Sequence, residues 1–376
     1  PVSFSLNEYL RDLKTLCAID SGHFNAAGTE AMADFFESRY RALGLNTERR
    51  HYENNDFAPF LLVENGAPDQ TIDFLMVAHM DTVFPVGEGA ARPFAVDENG
   101  IGHGPGCIDC KGGALLIYYL VRDLLAEGVN FHFAIAMNSD EERGSKYSRP
   151  YFEQLAQRSR TCFIFEPGRA NDEFVSQRKS GANYLVRVHG IAAHSGVNPE
   201  DGASAIVELA KWIPEMQALN DYAGGTSLNI GRISGGGDKG QVPDYCECTV
   251  SYRCLTAEAM QKLPALFEKM KANPFDPRTS IEIEQVSLRP AMAIHPATAK
   301  LLENLEIAGR EESLPITHLT TGGGSDGNFI AHYGVPTLDG CGPCGAALHT
   351  LHEYLKTESV EKRYRLMKRL IRDMSK

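Results

Sequence analysis

Two short apolar runs, IDFLMVA (72–78) and FHFAIAM (131–137), enclose a stretch with helical spacing, GALLIYYLVRDLLAEG (113–128). Runs this short and this largely apolar suit strands of a parallel sheet that is buried on both faces. Gly128 stands where a helix needs a residue that ends it. The pattern predicts a β-α-β unit, and TCFIFEP (161–167) predicts another strand. A chain of 376 residues is too long for one ordinary core, so about two domains are expected.

The periodicity changes near Lys179. ANYLVRVHG (182–190) alternates like a half-exposed strand, and GASAIVELAKWIPEMQAL (202–219) is an amphipathic helix. SLNIGRIS and CECTVSYRC read as strands, AEAMQKLPALFEKMKA as a helix and SIEIEQVS as a last strand. This β-α-β-β-α-β order is that of small ferredoxin-like domains. Helical and strand patterns resume at residue 297 and run to a basic amphipathic helix at the C-terminus. The expected fold is α/β, with a mixed sheet flanked by helices and an inserted ferredoxin-like domain. Its parts are residues 1–178 and 287–376 of a discontinuous domain and 179–286 of the insertion.

Charge and cysteine usage narrow the function classes. A formal net charge of −12 argues against a nucleic-acid partner. No apolar run approaches the ~18 residues that span a bilayer, so no membrane partner is expected. The opening PVSFSLNEYLRDLKTL lacks a basic start followed by an apolar block, although a leader removed before residue 1 would leave no trace. The nine cysteines lack the dense spacing of a secreted disulfide scaffold, which points to reduced thiols in a cytoplasmic protein.

Five segments carry the candidate chemistry: AHMDTVFP (78–85), GHGPGCIDCKGG (102–113), NSDEERGS (138–145), FEPG (165–168) and HTLHEY (349–354). Each sets a His, Asp or Glu just after an apolar strand or in the following loop. In open α/β sheets, sites assemble outside the carboxyl ends of strands. Histidine with carboxylates from several strand ends is a donor set for a borderline metal such as zinc. Three converging carboxylates would repel one another without a cation. Two divalent ions, +4 against −3, would leave a centre able to receive an anionic substrate. Any one segment alone reads as a surface histidine or a solvated turn. Five in this order do not.

Together these segments resemble the zinc-dependent exopeptidases and amidohydrolases that include glutamate carboxypeptidase, acetylornithine deacetylase, succinyl-diaminopimelate desuccinylase and aminoacylase. The resemblance spans nearly the whole chain, insertion included, and is nearest the glutamate carboxypeptidase branch. It implies a two-domain zinc exopeptidase fold holding two divalent metal ions, most simply zinc. It implies that His79 and Glu166 ligate one metal, Glu142 and His349 the other, and that Asp109 bridges them. Asp81 would hold the second imidazole nitrogen of His79, the i, i+2 spacing putting both on one face of an extended chain. Glu141 would be the general base, because neighbouring side chains in extended chain face opposite ways. His352 matches no ligand position, and Glu353 and Tyr354 complete the family pattern without needing to touch metal.

The cysteines compete with this reading. Cys107 and Cys110 flank Asp109 as C-x-x-C, and CGPC (341–344) has the sequence of a thioredoxin redox motif. That chemistry needs the first cysteine at a helix N-terminus, whereas GCGPCGAALHT reads as a loop leading to His349. The family pattern has an acidic residue at Asp109 and does not require cysteine beside it, so Cys107 and Cys110 are taken as bystanders. TTGGGSDGN (320–328) lacks the ending of a phosphate loop. The resemblance makes this segment, with Gly323 and Gly324, part of the substrate pocket, where backbone N–H groups could bind a carboxylate. It further implies a homodimer formed through the insertion. His194 in GIAAHSG would serve the partner subunit's site, and Arg253 in VSYRC would pair a substrate carboxylate. One departure is Gly240, in GGGDKGQVPD, where the family often has Asn. The expected activity is hydrolysis of an amide or peptide bond next to a free carboxylate in a small peptide or N-acyl amino acid.

Overall fold

The computed structural model describes residues 4–52 and 59–376. The chain divides into two compact units. One comprises the described residues through Ser176 with Ile294–Thr320 and Ser325–Lys376; the other comprises Gln177–Ala293 with Thr321–Gly324.

The first unit is built on a six-stranded mixed sheet. Its order is Asn46–Arg50, Phe60–Glu64, Phe133–Asn138, Ile72–His79, Ser159–Ile164, Thr337–Leu338. The last four run parallel and the first two join antiparallel. Successive side chains point to opposite faces, and the packing follows that alternation. Phe74, Met76, Ala78, Ile135, Met137 and Phe163 face one core, with Leu116, Leu120 and Met367 from the helices Lys111–Ala126 and Thr357–Met374. Leu75, Val77, Ala134, Ala136 and Ile164 face the other, with Phe152 and Ile330. Both faces are therefore covered, which is why these strands carry no polar alternation.

The register sets the site. His79 pairs with Asn138, and Val77 with Ile164. The carboxyl ends of three neighbouring strands thus finish side by side. Between them enters the helix Lys111–Ala126, whose start is glycine for a steric reason: a Cβ on Gly113 would lie 1.8 Å from the Phe165 carbonyl oxygen. Only a residue without a side chain lets the helix come this close to the strand end.

The second unit is a four-stranded antiparallel sheet in the order Ser227–Gly235, Tyr245–Arg253, Gly181–His189, Ser280–Arg289. Two helices, Ala205–Gln217 and Ala257–Ala272, begin at Ser204 and Thr256, whose hydroxyls accept the N–H groups of Val207 and Ala259. These caps satisfy donors that the first helical turn leaves open. Ala182, Tyr184, Val186 and Val188, every second residue, pack with Leu209, Trp212, Leu263 and Phe267. Among the described residues no helix is long and apolar enough to cross a membrane.

Candidate active site

His79 is the last residue of its strand, and its side chain is 2% exposed. Its Nδ1 lies 2.9 Å from the main-chain oxygen of Asp81. A carbonyl can only accept, so Nδ1 carries a proton and Nε2 points the other way. There it meets Asp109 Oδ1 at 3.0 Å and Glu166 Oε1 at 3.5 Å. The two carboxylates converging there repel one another unless a positive charge, imidazolium or a metal ion, lies among them. The Asp81 carboxylate stands farther from the ring, at 3.4 Å, and also accepts the N–H groups of Glu141 and Glu142 at 3.3 and 3.0 Å. Asp81 therefore orients His79 chiefly through its main chain, and its side chain holds the next turn in place.

That turn, Glu141–Arg143, is a short 3-10 helix rather than extended chain. The alternation expected for Glu141 and Glu142 does not apply there. Successive residues of a 3-10 turn are ~120° apart, which still assigns the two side chains different directions. Glu142 Oε2 lies 3.2 Å from His349 Nε2, which is also 3.1 Å from Asp109 Oδ2. Asp109 thus spans the two imidazoles. His349 is held with φ of +60°, a left-handed conformation uncommon for a residue with a side chain. Such conformations persist where surrounding structure enforces them, often at functional sites.

The electrostatics point to a cation. Burial pushes the Glu142 carboxyl up to about 7 despite its hydrogen bond from His349. Hydrogen bonds with Asp109 and Glu142 raise His349 to about 10. Against its own burial, Asp109 is held below the usual carboxylate range by His349 and His79. Imidazolium here supplies positive charge that the carboxylates require. Among the described residues, Glu142 Oε1 is buried without a hydrogen-bond partner. An orphaned buried carboxylate oxygen is costly unless a cation satisfies it. Two sets of donor atoms lie within 4.8 Å of one another: His79, Asp109 and Glu142, and His79, Cys110 and Glu166. Nitrogen, carboxylate and sulfur donors at this spacing fit a divalent transition ion.

Glu353, which the sequence reading left without a task, holds the Asp109 loop. It is 1% exposed and accepts the N–H groups of Gly106, Ile108 and Asp109, each at 3.0 Å. Its only sequence signal was a place beside Tyr354 in the final motif. The CGPC cysteines are both buried and lie outside any helix. Cys341 Sγ donates to the Leu338 carbonyl, and Cys344 Sγ receives Arg363 Nη2. They lack the helix N-terminus that lowers a redox thiol's pKa.

The remaining candidates belong to the second unit. His194 is exposed, and its Nδ1 accepts the N–H groups of Gly196 and Val197. Arg253 Nη1 donates to the Gly322 carbonyl at 3.0 Å. The carbonyls of Gly323 and Gly324 accept from Arg178, a buried arginine that sequence reading did not single out. Gly240 offers its carbonyl to the N–H of Ser195.

Similarity to known proteins agrees with this geometry. Carboxypeptidase G2 of Pseudomonas sp. (strain RS-16) is 27% identical over 376 residues, covering 97% of this chain and 89% of that protein. Succinyl-diaminopimelate desuccinylase of Dechloromonas aromatica (strain RCB) is 28% identical over 326 residues, covering 80% and 83%. The crystal structure of aminopeptidase PepT from Bacillus cereus superposes with a TM-score of 0.80 at 22% identity, covering 99% of each chain. A sequence profile described as peptidase family M20/M25/M40 matches residues 75–373. A site of histidines and carboxylates at the ends of parallel strands, in a chain that matches this profile over most of its length, places the protein in peptidase family M20/M25/M40, a family of metal-dependent hydrolases.

Proposed function

We propose that the protein is a di-zinc hydrolase cleaving an amide or peptide bond next to a free carboxylate, with a glutamate carboxypeptidase-like preference. The observation that carries this reading is the convergence of His79, Asp109, Glu142, Glu166 and His349 at one end of the sheet. His79 and Glu166 would hold one ion, Glu142 and His349 the other, with Asp109 between them. Two such ions would polarise the scissile carbonyl and the attacking water. Glu141 takes the water's proton and later delivers it to the leaving amine. Asp81 keeps Glu141 and Glu142 in register through their N–H groups. Arg253 and the Gly323–Gly324 segment receive the substrate carboxylate, and Arg253's bond to Gly322 supports a shared role. Similarity to carboxypeptidase G2 over nearly the full chain supports carboxypeptidase action.

Metal-loaded protein tested on C-terminal dipeptides and N-acyl amino acids decides the substrate. Dipeptides ending in glutamate are expected to give the highest kcat/KM. No hydrolysis of any member, with metal content verified, would remove the proposal. The similarity to desuccinylases supports a second reading, an N-acyl-amino-acid deacylase. A preference for acyl amino acids over dipeptides would establish it.

We further propose a homodimer through the second unit. Its strand Ser227–Gly235 lies at the sheet edge, with Ile233 53% exposed. His194 would then serve the partner subunit's site, donating to the developing oxyanion. Mixing His194→Ala and Glu141→Gln subunits should restore activity that neither variant has alone. A fully active monomer at micromolar concentration would refute both points.

Glu353→Gln should weaken metal binding about 10–100-fold, as loss of outer partners does at other metal sites. The amide nitrogen would face N–H groups that now donate to a carboxylate oxygen. Metal titration measures this, and unchanged affinity would show that the Asp109 loop holds itself.

A further inference from the structure

The mechanism leaves one group at the centre unused, the thiol of Cys110. This residue is fully buried and directly follows Asp109, at the start of the helix Lys111–Ala126. Its Sγ shares a cluster with His79 and Glu166, one donor atom of each lying within 4.8 Å of the others. An ion held by sulfur at about 2.3 Å and by nitrogen or oxygen at about 2.0–2.2 Å brings its ligand atoms to roughly 3.5–4 Å from one another. His79 Nε2 and Glu166 Oε1 are already 3.5 Å apart, and side-chain shifts of up to about an ångström would let one cation touch all three. Cys107, equally buried, joins no such cluster among the described residues, and its Sγ points to the Gly102 carbonyl. A second observation says that the centre is built for cations: the buried, unpartnered Oε1 of Glu142.

We propose that Cys110 is a sulfur ligand of the cation held by His79 and Glu166, so that this half of the centre prefers a thiophilic divalent ion to magnesium or manganese. The proposal rests on the metal centre inferred above. Thiolate is a soft donor and selects ions such as zinc, whereas carboxylate and water suit magnesium and manganese. When the ion binds, the thiol proton leaves to solvent. The sulfur lone pair goes to the ion, and the bond from Sγ to the Phe165 carbonyl, now 3.2 Å, is given up. Nothing is oxidised or reduced.

Titration of the metal-free full chain with cobalt(II) alone, followed by absorption, tests this. The expected result is a near-ultraviolet sulfur-to-cobalt charge-transfer band that saturates with one ion. The band should be lost in Cys110→Ser and kept in Cys107→Ser. Wild-type protein that binds cobalt with d–d bands only overturns the proposal and leaves the metal centre standing. A band that persists in Cys110→Ser also overturns it, by assigning the sulfur elsewhere. Failure to bind cobalt at all overturns both readings. The wild-type spectrum suffices for refutation, so the test does not depend on the variants folding.

Discussion

Glu141→Gln is expected to lower turnover about 10²–10⁴-fold, or roughly 3–5 kcal/mol of barrier, while metal content and thermal stability stay unchanged. Gln keeps the shape of Glu and removes its ability to accept a proton. The turn should survive, because the N–H groups of residues 141 and 142 donate to the Asp81 carboxylate and Gln leaves those bonds in place. Glu142→Gln should behave differently. Its carboxylate has one oxygen 3.2 Å from His349 and the other buried without a partner among the described residues. Removing that charge should cost metal as well as activity. Metal analysis beside steady-state kinetics separates the two variants. If Glu141→Gln is fully active, or loses metal as readily as Glu142→Gln, the two neighbours have been assigned the wrong way round.

Asp109→Asn should have the broadest effect, abolishing activity together with metal binding. The carboxylate has one oxygen 3.0 Å from His79 and the other 3.1 Å from His349. An amide offers one acceptor and no charge, so it cannot serve both sides. The readout is thermal unfolding as well as rate. An ion that binds only the folded state stabilises it by about 4 kcal/mol at a thousandfold excess over Kd. Wild-type protein should gain that order of stability on adding zinc after chelation, and Asp109→Asn should gain little. A variant that keeps full metal content and the same zinc-dependent shift would show that Asp109 is not shared between two ions.

The chain's own pattern determined the class of fold and the residues with chemical potential. Short, mostly apolar runs at 72–78 and 131–137 suited strands covered on both sides, and both face two cores as that reading requires. The five His, Asp and Glu segments were visible because together they stand in the order of a known family, although each alone reads as an ordinary turn or strand end. The strands Asn46–Arg50 and Phe60–Glu64 were not legible. They are short, and their membership in the sheet comes from antiparallel pairing with a distant strand, which leaves no local period. Tertiary structure alone decided the finer chemistry of the site. The turn at Glu141 is 3-10, and Asp81, from another strand end, receives its leading N–H groups. Glu353 reaches back across more than 240 residues to the loop that carries Asp109. Cys110, a bystander by sequence, has its sulfur beside His79 and Glu166 because the parallel register aligns three strand ends and Gly113 lets the helix start between them. Periodicity reports what a residue's neighbours in the chain demand. Which side chains meet depends on register and close approach between segments far apart, and no local pattern carries that information.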